Sequence, residues 1–137
     1  MRSRFKILIV EDSAIFRQLL KEALQDQFPL VEIGGAVDSE EALKKIQTLL
    51  PEVIFIDIKL PGENGLKLAK QIKTHYPGAI VIILTAHDLP EYREVALPYA
   101  DYFLSKGLTT KGDIIRLVES ILSTHEFSLF QSKNNNF

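Results

Sequence analysis

Glu11-Asp12, Asp57, Thr85 and Lys106 are the residues of this sequence whose types and placement suit chemistry. Each closes or directly follows a short apolar run: FKILIV, VIFI, IVIILT and YFLS. An acid at the end of a buried run is costly unless something pairs with it or solvates it. Two carboxylates about 5 Å apart repel by about 3 kcal/mol at an effective dielectric of about 20. Such a cluster persists if a divalent cation sits among the acids, or if they are partly protonated. Oxygen-only ligands, with no cysteine and no histidine close by, favour Mg2+ over zinc or copper. Mg2+ held by one or two carboxylates keeps waters and recruits a phosphate, and Lys106 adds a second cation. The pair leaves room for an incoming phosphoryl group. Asp57 is then a candidate nucleophile, because aspartate attack on phosphorus to give an acyl phosphate is an established covalent strategy. The metal and Lys106 would neutralise the equatorial oxygens, and Thr85 would donate a hydrogen bond to one of them.

This chemistry needs elements that bring distant residues to one place. Apolar runs at Phe5–Val10, Val31–Val37, Val53–Asp57, Ala79–Ala86 and Asp101–Leu104 are rich in β-branched residues and mostly not alternating. That pattern marks strands covered on both faces, as in parallel sheets. Helical stripes separate them. Ile15, Phe16, Leu19, Leu20, Ala23 and Leu24 follow Ser13, a candidate N-cap. Asp38 with Glu41 predicts an Asx form of the capping box before Ala42, Leu43, Ile46, Leu49 and Leu50. Further stripes are Leu66, Leu68, Ala69, Ile72, then Leu89, Tyr92, Val95, Ala96, and last Ile114, Ile115, Val118, Ile121, Leu122. Five strand–helix units predict an α/β fold, a doubly wound (βα)5 parallel sheet, for which 2-1-3-4-5 is one of the two common orders. In that order strands 1 and 3 are neighbours, and their acids meet at the carboxyl end, where such sheets bind ligands.

Composition limits the alternatives. The 137 residues suit one domain, 46% of them apolar and 25% charged, with net charge −2. No basic block suggests that this domain itself binds nucleic acid. The absence of cysteine excludes thiolate and disulfide chemistry. The N-terminal apolar run ends at Glu11, too short for a signal peptide or for a membrane span of about 20 residues, so no membrane partner and a cytoplasmic location are expected. The end, THEFSLFQSKNNNF, reads as a tail or the start of a linker over 124–137, partly disordered, in which Phe127, Leu129 and Phe130 fold back or extend the last helix.

The set IVEDS (9–13), DIKLPGENG (57–65), LTA (84–86) and FLSK (103–106) resembles the receiver domain of two-component response regulators, over about residues 4–123. The four motifs in order carry the resemblance; none does so alone. It implies a flavodoxin-like fold with the 2-1-3-4-5 order and a signalling switch, not an enzyme acting on a separate substrate. It further implies that Asp57 accepts a phosphoryl group from a sensor histidine kinase or a histidine phosphotransfer protein, with Mg2+ as cofactor. Asp12, Asp57 and the main-chain carbonyl of Lys59 would ligate the metal, and Glu11 would act through water. Thr85, Lys106 and the Ala86 main chain would contact the phosphoryl oxygens. Phe103 matches the aromatic that changes rotamer when the threonine moves, and Pro61 and Gly65 match the turn after the phosphorylation site. The signal would leave through the fourth helix, fifth strand and fifth helix, a face that also serves for homodimers.

Three departures bear on that output face. Gly107 stands where many receivers have a proline behind a cis bond, which predicts a trans bond here. The glycine usual before strand 5 is replaced near Tyr99, which predicts an early or irregular end of the fourth helix. Phe103 lacks the hydroxyl of the commoner tyrosine, so its inward position is expected to be populated already. Taken singly, Asp57 reads as a turn acid, Glu11-Asp12 as a helix N-terminal pair, Lys106 as a surface lysine and Phe103 as core. His75, His87 and His125 are scattered, and none is taken as a ligand. Competing readings are a pseudo-receiver that binds partners without phosphorylation and a Mg2+-dependent phosphatase. Lys59 stands where such phosphatases carry a second aspartate. The missing proline points mildly to a receiver joined to a helix-turn-helix domain.

Overall fold

The computed structural model describes residues 5–135. The chain alternates β1 (Lys6–Val10), α1 (Ala14–Gln27), β2 (Glu32–Ala36), α2 (Ser39–Leu49), β3 (Val53–Ile56), α3 (Gly65–His75), β4 (Ile80–Thr85), α4 (Pro90–Ala96), β5 (Tyr102–Ser105) and α5 (Lys111–Asn135). All strand pairs are parallel, in the expected order β2-β1-β3-β4-β5. The unbroken apolar runs have the predicted cause. In β1, Leu8 and Val10 face a core shared with α2, α3 and α4, while Ile7 and Ile9 face one shared with α1 and α5. Both faces are buried, so the inner positions of the central strands are apolar in unbroken succession.

Local chemistry sets the helix starts. Ser13 Oγ accepts from Phe16 N at 3.2 Å and Asp38 Oδ1 from Glu41 N at 2.8 Å, as N-caps do. The capping box closes one residue earlier than expected. Glu41 Oε1 accepts from Val37 N at 2.9 Å, because Val37 follows an outer strand with no neighbour on its far side to take that N–H. Close by, Lys45 donates to the Gly35 carbonyl.

α4 has seven residues and stops at Ala96, as the replaced glycine leads one to expect. Among the described residues no peptide bond is cis, so the Lys106–Gly107 bond is trans. α5 continues through 124–135, where the sequence suggests a partly disordered tail. No proline or glycine follows Gly112 to break it. Residues 136 and 137 lie outside the described residues. No helix among the described residues is long and apolar enough to cross a membrane.

Leu50, the C-cap of α2, has φ 53° and ψ 60°, a conformation suited to glycine. Its side chain is 60% exposed, so little packing opposes its removal. Leu50→Gly is expected to stabilise the fold by about 0.5–1 kcal/mol, strain relief exceeding glycine's entropic cost. A thermal melt should show a rise of a few degrees; a fall would mean that Leu50 packs usefully.

Candidate functional site

The strand ends fix the backbone of the candidate residues. Glu11 N donates to Ala36 O at 2.9 Å, Asp57 N to Val10 O at 3.1 Å, and Lys106 N to Thr85 O at 2.8 Å. Each strand ladder therefore continues one residue past its strand, and the side chains that follow β1, β3 and β5 meet at the carboxyl end of the sheet. Gly65 packs against the Asp57 backbone. Its N–H donates to Ile58 O at 2.7 Å, and its α-carbon sits so close to Asp57 that a Cβ would lie 2.0 Å from the Asp57 carbonyl oxygen.

Glu11 and Asp57 are buried, at 3% and 7% exposure, while Asp12 is exposed. Oxygens of the three carboxylates lie within 4.8 Å of one another. Lys106 Nζ donates to Glu11 Oε1 at 2.5 Å and to Asp57 Oδ2 at 3.1 Å. Glu11 Oε2 accepts from Ser13 N at 3.0 Å. Burial pushes the Glu11 carboxyl above its ordinary range; the Lys106 and Ser13 hydrogen bonds pull against this, and the charge of Asp57 adds to it. Burial pulls Lys106 down, but the Glu11 hydrogen bond and the two carboxylate charges outweigh it, so its pKa ends above the ordinary lysine value.

Asp57 Oδ1 is buried without a hydrogen-bond partner. An orphaned carboxylate oxygen beside two further acids fits a hard divalent cation with oxygen ligands, and Mg2+ suits that donor set. Of the expected site residues, Glu11, Asp12, Asp57 and Lys106 come together. Thr85 is fully buried at the end of β4, its Oγ1 accepting from His87 N at 3.1 Å. Ala86 and Lys59 are exposed in the loops that follow β4 and β3, and Phe103 is half-buried on β5.

Three participants are not apparent from the sequence. The Phe16 ring lies 4.0 Å below Lys106 Nζ, Arg17 Nη1 donates to the Glu11 carbonyl at 2.6 Å, and the Arg93 guanidinium lies over the Phe103 ring. Phe16 and Arg17 fall in the first turn of the helix that starts behind Asp12. That spacing is the one signal that points to them.

Residues 7–119 match the family model described as the response regulator receiver domain. Among curated proteins, the chain is 31% identical over 136 residues to the protein-glutamate methylesterase/protein-glutamine glutaminase of Caldanaerobacter subterraneus subsp. tengcongensis. That match covers 97% of this chain and 37% of that protein. It is 40% identical over 77 residues to a protein of the same name from Idiomarina loihiensis, covering 56% of this chain and 20% of the relative. The chain thus spans a minor part of these relatives. Of solved structures, a CheY-like response regulator receiver domain protein from Methanospirillum hungatei JF-1 superposes with a TM-score of 0.83 at 26% identity, covering 92% of this chain and 99% of that one.

Proposed function

Because the chain belongs to the response regulator receiver domain family, we propose that it is a phosphorylation-activated signalling switch whose Asp57 accepts a phosphoryl group from a sensor histidine kinase or histidine phosphotransfer protein. The observation that carries this reading is Lys106 bridging Glu11 and Asp57 beside the unpartnered Asp57 Oδ1. The roles follow from position. One Asp57 carboxylate oxygen makes the new P–O bond as the P–N bond to the donor histidine breaks, the electron pair leaving on the imidazole nitrogen, while the other stays available to the metal. Lys106 turns from the carboxylates to a phosphoryl oxygen. Thr85 Oγ1 already accepts the His87 N–H, which leaves its own proton free to donate to another phosphoryl oxygen. The Ala86 main chain contacts the same group. Asp12, Asp57 and the Lys59 carbonyl would hold Mg2+, with Glu11 acting through water. When bound, the ion supplies charge neutralisation for the transferring group.

The signal leaves by Thr85 and Phe103 for the face of α4, β5 and α5. Leu89, Val95, Leu97 and Tyr102 are exposed there and suit a homodimer or another partner. The domain itself binds neither nucleic acid nor membrane, and it works in the cytoplasm, where a kinase finds its nucleotide. It acts on its own aspartate; the esterase and glutaminase activities named for the longer relatives are not assigned to this chain.

Incubation with Mg2+ and acetyl phosphate should add one phosphoryl mass to the intact protein, and EDTA should prevent it. No adduct, or one indifferent to EDTA, overturns the reading. The phosphoryl group should also be long-lived. Lys59 and His87, two residues past Asp57 and Thr85, flank the expected path of the hydrolytic water, and neither is an acid or amide suited to orienting it. The half-life of the purified phosphoprotein, followed by mass, should be minutes or longer; seconds would refute this.

A further inference from the structure

Phe103 has no hydroxyl with which to hold itself on the outer side of β5, but a different handle is present. Arg93, in the last turn of α4, places Cζ 4.6 Å from the centre of the Phe103 ring. A planar guanidinium stacks well on an aromatic face. The guanidinium is itself tethered, Nε donating to Asp88 Oδ1 at 2.5 Å. Asp88 lies in the connection from β4 to α4, three residues past Thr85. Asp88, Arg93 and Phe103 therefore form a chain of contacts from the connection that leaves Thr85, through α4, to β5. α4 needs such a tie. It has seven residues, and Leu89 gives its N-terminus no side-chain cap.

Resting on the switch proposed above for Thr85 and Phe103, we infer that Arg93 is a positioning residue for it. Its cation–π contact clamps Phe103 in the unphosphorylated protein, and the Asp88 tether links that clamp to the connection leaving Thr85. The contact takes over the holding role that a tyrosine hydroxyl plays elsewhere. When Thr85 is drawn toward the phosphoryl group, the ring turns inward, the guanidinium loses its platform, and α4 is released from β5. The sign is fixed by this arrangement. A clamp on the resting position opposes activation, so weakening it makes activation easier. A ligand shifts such an equilibrium only by its differential affinity, and the clamp sets the difference to be overcome.

The test uses the full chain with labelled phenylalanine rings and arginine side chains, in wild type, Arg93→Ala, Arg93→Lys, Asp88→Asn and Phe103→Leu. In the metal-free protein, Arg93→Ala should move the Phe103 ring signals, with Asp88→Asn moving them less and in the same direction. Arg93→Lys, which keeps the charge and loses the plane, should be intermediate. On titration with beryllofluoride and Mg2+, Arg93→Ala should respond at about two- to fivefold lower concentration than wild type, the range a partly exposed cation–π contact supports. The gain should vanish when Phe103→Leu is already present. Unmoved ring signals in metal-free Arg93→Ala and Arg93→Lys overturn the inference. So does a titration gain that survives Phe103→Leu. If instead wild type fails to respond to beryllofluoride, the phosphoacceptor reading falls, while the clamp is still decided by the metal-free spectra.

Discussion

Asp57→Asn is expected to take up no phosphoryl group from acetyl phosphate and, in the absence of metal, to be more stable than the wild type. The first effect is complete because the amide cannot form the acyl phosphate. The second follows from crowding. Glu11, Asp12 and Asp57 bring carboxylate oxygens within 4.8 Å of one another around a single ammonium. With an effective dielectric of about 20, two repulsions at about 5 Å amount to about 6 kcal/mol, against about 5 kcal/mol for the lost attraction to Lys106. The difference favours the variant by about 1 kcal/mol, and the unpartnered charge on Oδ1 goes as well. In EDTA the variant should melt a few degrees above wild type. Added Mg2+ should raise the wild-type melting temperature more than that of the variant, because the ion stabilises the state that binds it. An adduct that persists in Asp57→Asn sinks the assignment. A variant that melts below wild type in EDTA would show that Lys106 already satisfies the cluster.

Gly65→Ala should damage fold and site together. The added Cβ would stand 2.0 Å from the Asp57 carbonyl oxygen, 2.9 Å from its carbon and 3.0 Å from Ile56 Cγ2. Two of those neighbours are main chain, fixed by the bond from Asp57 N to Val10 O, so no rotamer change relieves the clash. Either α3 withdraws, losing the bond from Gly65 N to Ile58 O, or the backbone of Asp57 tilts. Overpacking commonly costs about 1–3 kcal/mol, and contact against main chain belongs at or above the top of that range. Denaturant unfolding should show a loss of about 3 kcal/mol or more, and the surviving folded fraction should accept phosphate more slowly. A variant within about 1 kcal/mol of wild type with normal uptake would mean that the close approach relaxes freely.

The strands and the acids at their ends are legible in the sequence because burial on both faces leaves a signature in every residue of the run. Val53 to Ile56 cannot be read as an alternating edge strand, and Asp57 cannot be read as part of the core it adjoins. Asp38 with Glu41 shows the limit of local reading. The pair is visible, but which N–H the glutamate reaches depends on β2 being outermost, a property of the whole sheet. Lys106 is legible as a site residue through its register with Thr85, whereas Phe16 beneath it looks like one more apolar position of α1. Arg93 is invisible for a related reason. Its partners, Asp88 and Phe103, are polar and apolar in turn, and nothing in the spacing says that one guanidinium meets both.

The outer strand β2 has a further consequence for how the protein behaves in a crowded solution. An open strand flank offers main-chain groups to any extended segment that drifts past, and growth of one sheet onto another begins there. Here Glu41 occupies the Val37 N–H and Lys45 occupies the Gly35 carbonyl. An intruding segment that reached for either of those two groups would have to displace a charged side chain first. The same two side chains that tie α2 to the sheet therefore act as a guard against aggregation, and Lys45 and Glu41 are positions where neutral apolar replacements would shorten the time the purified protein stays in solution without touching the switch.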